Sequence, residues 1–467
     1  MKSKFIKRNQ SNRLILLFAG WGMDWRPFAE LDHPGYDILV VWDYRELSYN
    51  WRPLLKYDEI CLIAWSMGVF AASVTIHEIE PRITMRVAVN GTLIPIDDTR
   101  GIPPAIWRGT LNALSPATWR KFKRRMCVSA EQYEQFSEVA PRRSLDELKE
   151  ELVALETHTM FHVRQITDWD LAIISRHDGI FPASNQRRAW VGVAPTRVLD
   201  AGHLPDFNEI INRLVINKAT VGERFSRAAS TYGVTATVQH EIARQLFHYF
   251  ESVHPQESIV GNIVEIGPGA DGALTRLWYA RADLRAKLLL WDLALWDYSE
   301  SAPSAQFEQC DAEVRIRRHP SASAAFIFSA STVQWFNSIR EFLKECSRVL
   351  VPGGYLVLSS FVHGNLEELT SVTGNGLQLP DMDGWKKKMP DDMEILVCEE
   401  DAHRLAFESP REVLQHLSDS GTTAVNFGKS GPVMARHILG NYPCDPATGK
   451  YNLTYRPIYI VARKFEE

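Results

Sequence analysis

Two successive stretches of the chain alternate short apolar runs with helix-like segments, and this pattern restricts the fold more than any other feature. In the first stretch the runs lie at residues 14–19, 38–42, 60–64, 86–90, 171–175 and 196–199. In the second they lie at 259–266, 286–292, 324–329 and 354–361. Apolar strands joined by helices are typical of parallel sheets with crossover helices. We predict an α/β protein with two sheet domains, because one hydrophobic core rarely serves 467 residues.

The boundary between the two predicted domains falls in a helical region. Residues 207–225 read as a helix, a short interruption and another helix, with no linker rich in proline, glycine or serine. We place one domain at 1–213 and the other at 214–467. Within the first, the strands stop between about 101 and 165, where the sequence is helical, rich in arginine and opened by the breaker GIPP. This segment is expected to form a small inserted helical cap.

Charge and composition argue against several classes of protein. A net charge of −5 argues against nucleic acid as the main partner. The six cysteines are far apart and form no CxxC pair, which fits neither a metal site nor a disulfide framework and indicates a reducing compartment. No run approaches the roughly 18 apolar residues of a membrane span, and the run at 14–19 is short for a signal peptide. We expect a cytoplasmic protein without a metal or membrane association.

Residues 62–72, LIAWSMGVFAA, predict a strand that turns sharply into a helix with Ser66 at the corner. A nucleophilic serine on such an elbow needs small residues two positions before and after it, because the turn is crowded. Ala64 and Gly68 fill these positions, with alanine where glycine is usual. The alternative is an ordinary serine at a tight turn.

Candidate partners for Ser66 follow later strands in the order serine, acid, histidine. Asp178 follows the run at 171–175, and His203 follows the run at 196–199. Taken singly, they are equally compatible with a turn aspartate and a loop histidine. Backbone N–H groups of Trp21 and Met67 are candidates for an oxyanion hole, although Gly20-Trp21-Gly22 is also compatible with a plain strand-end turn.

A second candidate site begins at the glycine-rich loop VEIGPGADG, residues 264–272, between a predicted strand and helix. Gly267, Gly269 and Gly272 would let a nucleotide approach the backbone closely, and their spacing alone is also compatible with a dinucleotide. Glu265, two residues before the first glycine, favours S-adenosylmethionine, as in class I methyltransferases. Asp271 stands where the third glycine is usual, and glycine follows at 272. A one-residue insertion would restore the alignment; without it, the Asp271 side chain could weaken cofactor binding.

Two aspartates extend this second site. Asp292 ends the next predicted strand, where a carboxylate suits the ribose hydroxyls, and Asp311 follows in QCDAE, where such folds place an aspartate beside the adenine amine. Solubility at strand ends is the alternative for both residues. The sequence VPGGYL, residues 351–356, predicts the turn before the fifth strand.

The first half resembles the BioG-type pimeloyl-[acyl-carrier protein] methyl ester esterases over about residues 13–210. The resemblance rests on AWSMG, on FAGWGMD at 18–24, NGTLIP at 90–95, GIPP at 101–104 and AGHLPDF at 201–207. It implies hydrolysis of the methyl ester on a carrier-bound pimeloyl chain. Ser66 would attack the ester, His203 would act as base and then acid, and Asp178 would orient His203.

A basic segment of the cap could dock the acidic acyl-carrier protein. Residues 120–125 read RKFKRR, and Arg142 and Arg143 follow. A solvated helix face is the ordinary explanation for such a charge run.

The second half resembles the BioC-type malonyl-[acyl-carrier protein] O-methyltransferases over about residues 215–463. The motifs are ERFSRAASTY at 223–232, SASTVQW at 329–335 and LTY at 453–455. The resemblance implies methylation of the free malonyl carboxylate by S-adenosylmethionine. Because the carboxylate is already ionised, catalysis should be mainly positioning, without a general base. Tyr232, Gln334 and Trp335 are candidates for closing the site, with core packing as the alternative.

Together these patterns predict a bifunctional enzyme of biotin-precursor synthesis, an esterase followed by a methyltransferase. One alternative is a generic carboxylesterase fused to a methyltransferase for small free acids. Another is that one domain is a non-catalytic scaffold for acyl-carrier protein.

Overall fold

The computed structural model describes residues 1–161, 165–254, 259–374, 376–377, 379–422 and 431–466. The chain divides into two compact units, Met1–Ile211 and Asn212–Glu467, and the division falls within a helix, Phe207–Leu214.

The first unit is built on a seven-stranded sheet. Its strands are β1 (Lys2–Lys7), β2 (Arg13–Phe18), β3 (Asp37–Trp42), β4 (Glu59–Trp65), β5 (Ile83–Val89), β6 (Leu171–Ser175) and β7 (Thr196–Leu199). Their order across the sheet is β1-β3-β2-β4-β5-β6-β7, and all pairs are parallel except β1 with β3. Every residue of β3, β4 and β5 is buried, which explains their continuous apolar sequences.

Among the described residues of the first half, seven α-helices accompany these strands, and the last of them crosses the boundary between the units. They are α1 (Met67–Thr75), α2 (Pro104–Asn112), α3 (Pro116–Met126), α4 (Ala130–Glu138), α5 (Leu145–Phe161), α6 (Ala183–Trp190) and α7 (Phe207–Leu214). Helices α2 to α5 lie where the cap was expected, and 162–164, near the end of that expected segment, are outside the described residues. The Ser115 hydroxyl caps α3 by accepting from the Thr118 N–H, while the Thr118 hydroxyl accepts from the Ser115 N–H.

The prediction of a first strand at 14–19 was incomplete, because that segment is β2 and a strand precedes it. β1 carries alternating lysines and lies at the edge of the sheet, antiparallel to β3. Half-exposed edge strands lack a continuous apolar run, so the search for such runs did not detect it.

The second unit also contains a seven-stranded sheet. Its strands are β8 (Ile263–Ile266), β9 (Leu288–Asp292), β10 (Gln306–Gln309), β11 (Ala324–Ser329), β12 (Leu350–Phe361), β13 (Met393–Glu400) and β16 (Pro457–Lys464). Two further strands, β14 (His403–Phe407) and β15 (Tyr451–Tyr455), form a separate ribbon. The sheet order is β10-β9-β8-β11-β12-β16-β13, with β16 antiparallel to both neighbours. The expected turn at 351–354 is instead an irregular stretch within β12, because Ala324 pairs with Leu350 and Phe326 with Tyr355.

Helices cover this sheet. They are α8 (Lys218–Thr235), α9 (Thr237–Val253), α10 (Ala273–Tyr279), α11 (Ala312–Arg315), α12 (Ile339–Val349), α13 (Glu367–Thr373), α14 (Met382–Lys386), α15 (Pro410–Asp419) and α16 (Gly431–Asn441). Two hydrophobic clusters pack on the sheet, one including Phe250, Trp278 and Phe328 and the other Trp291, Phe342 and Trp385.

The two topologies confirm the predicted fold class. The first is an α/β-hydrolase sheet with a helical cap, and the second is a doubly wound, Rossmann-like sheet of the class I methyltransferase type. In both, functional groups are expected at the carboxyl ends of the parallel strands. No helix in the described ranges is both long enough and apolar enough to cross a membrane.

Candidate active sites

Ser66 occupies a strained turn between β4 and α1. Its φ of 60° and ψ of −127° are unusual for a residue with a side chain, and its N–H donates to the Val89 carbonyl at 2.9 Å. The turn is crowded, because a Cβ at Gly68 would lie 2.6 Å from the Phe18 carbonyl oxygen, and one at Gly91 would lie 2.2 Å from that of Ser66. Only glycine fits at these two positions, and Ala64 is accommodated with its side chain fully buried.

The structure brings Ser66, His203 and Asp178 into one hydrogen-bonded row. His203 Nε2 lies 3.0 Å from Ser66 Oγ, and His203 Nδ1 lies 2.9 Å from Asp178 Oδ2. Asp178 is held by the N–H groups of Ile180 and Phe181, which donate to its Oδ1 at 2.8 Å each. All three side chains are buried. The row has the geometry of a serine nucleophile, its base and the acid that orients the base.

Two residues that the sequence analysis did not assign to the site, Trp65 and Asn90, hold the backbone of His203 in place. The Trp65 indole donates to the His203 carbonyl at 2.8 Å, and the Asn90 amide donates to the same oxygen at 2.9 Å. Asn90 also accepts from the Ser175 N–H at 2.7 Å, which ties the end of β5 to the end of β6. A polar residue directly after a buried strand was the available signal for Asn90.

Trp21 and Met67 both line the cavity in front of Ser66. Neither backbone N–H has a hydrogen-bond acceptor in the part of the chain that the structure describes. Unpaired backbone donors of residues on the lining of a serine site are the groups that an oxyanion hole requires.

The space of this first cavity, including its opening to solvent, is about 470 Å³, and residues of the cap line it. Its walls are mainly apolar and include Ile102, Ile106, Trp107, Phe122, Met126 and Leu152. Arg125 also lines the cavity and adds a positive charge, and this residue is exposed to solvent. The cavity therefore suits an aliphatic acyl chain that enters from solvent.

A buried ion pair joins the cap to the loop that carries Trp21. Glu151 of α5 accepts from the Gly22 N–H at 3.2 Å, from the Tyr44 N–H at 2.8 Å and from Arg143 Nη1 at 2.6 Å. Burial raises the pKa of Glu151, with Arg143 opposing that effect. Arg143 also lies 3.2 Å from Asp43, and its side chain is only 4% exposed. Arg143 was therefore wrongly grouped with the docking arginines, because its guanidinium is buried within the unit, whereas Arg142 is exposed.

In the second unit the glycine-rich loop joins β8 to α10 as expected. Gly267, Gly269 and Gly272 have φ values of 67°, 72° and 58°, which favour glycine. A Cβ at Gly267 would lie 2.1 Å from Thr332 Oγ1. Gly267 and Gly269 line a second cavity of about 590 Å³, whereas Gly272 lies outside that lining and caps α10.

Asp292, at the end of β9, faces this second cavity. Its Oδ2 accepts from the Gly269 N–H at 3.2 Å, and its Oδ1 accepts from the Ala294 N–H at 2.9 Å. Burial raises the pKa of Asp292. A partly buried carboxylate beside the glycine loop can bind hydroxyl groups of a ligand.

The other predicted carboxylates lie around the second cavity rather than on its lining. Glu265 accepts from the Thr275 hydroxyl at 2.7 Å and the Trp278 indole at 2.6 Å, and burial raises its pKa to about 7. Glu265 thus joins β8 to α10 behind the glycine loop. Asp311 accepts from the Glu313 N–H at 3.0 Å and caps α11.

Asp271 is not on the lining of the glycine-loop cavity. Its Oδ2 lies 2.6 Å from His240 Nε2 and 3.6 Å from Arg276 Nη2. The carboxylate therefore lies against basic side chains of α9 and α10.

The three residues predicted to close the site are placed differently. Tyr232 and Trp335 line the glycine-loop cavity, but Gln334 lines a neighbouring one. Burial raises the pKa of the Tyr232 hydroxyl above its ordinary value.

The residues present fit S-adenosylmethionine. Ser331 Oγ is buried and lacks a hydrogen-bond partner within the described ranges, and Ser331 lines the glycine-loop cavity. Buried polar groups are rarely left unpaired in proteins. This hydroxyl, with the glycine backbone and Asp292, offers donors and acceptors to a polar nucleoside ligand.

Residues 1–211 match the family model of pimeloyl-ACP methyl esterase BioG, and residues 264–358 match that of a methyltransferase domain. A malonyl-[acyl-carrier protein] O-methyltransferase of Bacteroides fragilis is 36% identical over 468 residues, covering 96% of this chain and 92% of the relative. One from Chlorobium phaeovibrioides is 31% identical over 258 residues, covering 54% of this chain and 98% of the relative. The crystal structure of Haemophilus influenzae BioG shares 37% identity, covers 44% of this chain and 94% of that chain, and gives a TM-score of 0.41.

Fold and site geometry define an α/β-hydrolase with a serine–histidine–aspartate row, followed by a class I methyltransferase. The chain belongs to the malonyl-[acyl-carrier protein] O-methyltransferase family, in which it is a fusion of a BioG-type half with a BioC-type half. The resemblances predicted from the sequence motifs are thereby confirmed.

Proposed function

We propose that this chain is a bifunctional enzyme of biotin-precursor synthesis, with a methyl ester esterase at 1–213 and an O-methyltransferase at 214–467. The methyltransferase methylates the free carboxylate of malonyl-[acyl-carrier protein]. The esterase hydrolyses pimeloyl-[acyl-carrier protein] methyl ester to the free acid and methanol. The observation that carries the proposal is the buried Ser66–His203–Asp178 row under an apolar cap, on the same chain as the glycine-loop cavity.

In the esterase, Ser66 Oγ attacks the ester carbonyl carbon while its proton passes to His203 Nε2. The Trp21 and Met67 N–H groups stabilise the negative oxygen of the tetrahedral intermediate. Methanol leaves with the proton from His203. Water then gives a proton to His203 and attacks the acyl–serine ester, which releases the acid and restores Ser66. Asp178 keeps the Nδ1–H of His203 directed towards itself, so that Nε2 faces the serine.

In the methyltransferase, the chain mainly binds and orients the two reactants. Bound S-adenosylmethionine supplies an electrophilic methyl group on a sulfonium. Gly267 and Gly269 let the ligand approach the backbone, and Asp292 is placed to accept from the ribose hydroxyls. Tyr232 and Trp335 exclude water from the cavity. Glu265 and Asp311 act from behind the lining, by holding α10 and α11.

The two activities have complementary chemistry. A malonyl carboxylate is costly to bury in the apolar channel of a chain-elongating enzyme, and methylation removes its charge. After elongation the ester must be removed to give the free pimeloyl acid. In both steps the partner is the acidic acyl-carrier protein. The proposed docking surface consists of exposed basic residues of the cap, namely Arg120, Lys121, Arg124 and Arg125 of α3 together with Arg142.

The esterase is tested by following the intact mass of pimeloyl-carrier methyl ester. Wild-type protein should remove one methyl group per acyl chain, and Ser66→Ala should not. Equal loss of methyl in both proteins would refute the assignment of Ser66.

The methyltransferase is tested with labelled S-adenosylmethionine and malonyl-carrier protein, with free malonate as the competing acceptor. Ser66→Ala should retain methyl transfer, and Asp292→Ala should lose it while retaining esterase activity. These two variants are reciprocal controls for folding. Transfer to free malonate alone would favour the generic small-acid enzyme, and absence of cofactor binding would favour the scaffold.

A further inference from the structure

A third cavity lies beside the glycine-loop cavity in the second unit, and Trp335 lines both. Its space, including the opening to solvent, is about 490 Å³. Phe361 at the end of β12, Leu369 and Thr370 of α13 and Tyr455 of β15 contribute to its walls. A ligand in this cavity would reach the glycine-loop cavity at Trp335.

The walls of this third cavity combine apolar groups with neutral hydrogen-bonding groups. Leu366, Leu369, Leu377 and Leu379 are among the apolar ones, and Asn365, Thr370, Thr422 and Tyr455 among the polar ones. Over the ranges that the structure covers, no lysine, arginine, aspartate or glutamate lines it. A neutral ligand with ester or amide groups suits such walls, whereas a carboxylate buried there would lack a counter-charge.

Hydrogen bonds fix the wall between the two cavities. Gln334 faces the third cavity, and its Nε2 donates to the carbonyl of Ser331, which lines the glycine-loop cavity. Gln334 Oε1 accepts from Ser360 Oγ at 3.4 Å. Trp335 is only 4% exposed, and its Nε1 is a donor without a partner in the described part of the chain. The junction therefore offers a rigid wall and one unused N–H.

We propose that the third cavity holds the neutral thioester arm of the methyl acceptor, and that the Trp335 N–H binds the acceptor carboxylate at the junction. This inference rests on the proposed malonyl methyltransferase function. The part of the carrier arm next to the malonyl group carries a thioester and amides, which match the neutral walls. In the reaction the methyl–sulfur bond breaks, its electron pair stays on sulfur, and a carboxylate oxygen forms the new bond to the methyl carbon. No proton moves, and the sulfonium and carboxylate charges both disappear.

The same walls would select against free malonate. Free malonate has two carboxylates at neutral pH, so placing one at Trp335 would put the other against walls whose described residues include no lysine, arginine, aspartate or glutamate. The thioester replaces that second charge with a neutral group. Discrimination between carrier-bound and free acid thus comes from the cost of an unpaired buried charge.

The placement is tested by binding, with S-adenosylhomocysteine saturating the glycine-loop cavity and malonyl-pantetheine as the probe in calorimetry. Leu369→Trp fills the third cavity and should raise the dissociation constant of malonyl-pantetheine by about tenfold or more. Ser371→Trp adds the same bulk on an exposed position of α13 and should change it less than about twofold. The affinity for S-adenosylhomocysteine should stay unchanged in both variants and reports a folded unit.

A second variant tests the charge argument. It also tests the placement of the acceptor arm if Leu369→Trp fails to bind S-adenosylhomocysteine. Thr370→Lys places a cation in the third cavity and should tighten free malonate binding by about tenfold while weakening malonyl-pantetheine. Unchanged binding of both probes in Thr370→Lys, or unchanged malonyl-pantetheine binding in Leu369→Trp, would overturn the placement. Failure of the proposed function would give a different result from failure of the placement, because the wild-type protein would then methylate no malonyl thioester.

Discussion

Replacement of Arg143 by methionine tests how the cap supports the esterase site. The substitution keeps much of the side-chain length but removes the guanidinium that lies 2.6 Å from Glu151. Glu151 is fully buried and would keep only the N–H donors of Gly22 and Tyr44. A buried carboxylate that loses its counter-charge is strongly destabilising.

The expected loss is about 3–4 kcal/mol of unfolding free energy. Breaking a buried ion pair costs about 3–5 kcal/mol, and the lower part of that range applies because two backbone donors still solvate Glu151. Asp43 adds little, since Arg45 and Lys2 remain bound to it. The loss should shrink as the pH falls, because burial raises the pKa of Glu151 and a proton can then replace the missing cation.

The assay is urea unfolding of the full chain, followed by hydrogen exchange in peptides from residues 1–211. Esterase kcat should fall by about tenfold with little change in KM, because the loop that carries the Trp21 N–H loosens.

The neighbouring exposed variant Arg142→Met should change stability by less than about 0.5 kcal/mol. In a double-mutant cycle, Arg143→Met and Glu151→Gln together should cost clearly less than the sum of their separate losses. Additive losses, or a loss below about 1 kcal/mol in Arg143→Met, would refute the reasoning.

Three further predictions address other parts of the two sites. Gly91→Ala should abolish esterase activity and leave methyl transfer intact in a radiolabel assay, because the new Cβ would lie 2.2 Å from the Ser66 carbonyl oxygen. Asp271→Gly should change the calorimetric affinity for S-adenosylmethionine less than about twofold, since the carboxylate faces His240; a gain of tenfold would contradict this orientation. Glu265 has a pKa raised from 4.5 to about 7, so the second unit should lose about 3 kcal/mol of unfolding free energy as the pH rises from about 4.5 to beyond 7. In urea titrations, the unfolding free energy of Glu265→Gln should depend less on pH than that of the wild-type protein, and the glutamine amide oxygen can still accept from Thr275. Equal pH dependence in the two proteins would contradict the role given to Glu265.

The parts of the esterase site that could be predicted from the sequence lie directly after strands. Ser66, Asp178 and His203 each follow an apolar run, and parallel strands bring their carboxyl ends to one edge of the sheet. Local sequence therefore determined where these side chains would meet. The glycine loop was predictable for the same reason, because a strand, a tight turn and a helix are consecutive in the chain.

The contacts that sequence reasoning missed join segments remote in the chain. Glu151 meets Gly22 and Tyr44 across more than a hundred positions, and no periodic pattern records such a buried polar contact. The direction of Asp271 depends on His240 of a preceding helix, which the glycine spacing does not report. Arg143 looked like part of a solvated charge run because burial is not visible in composition.

The lysine-bearing strand β1 has a consequence for self-association. It covers one side of β3, whose six residues are all buried and mostly apolar. Without this cover, β3 would present unpaired backbone donors and acceptors to any other chain, as a template for intermolecular strand addition. The exposed residue Lys4 places a positive charge on the new edge, which disfavours pairing with a second copy. The first strand thus protects the protein against aggregation from the edge of its esterase sheet.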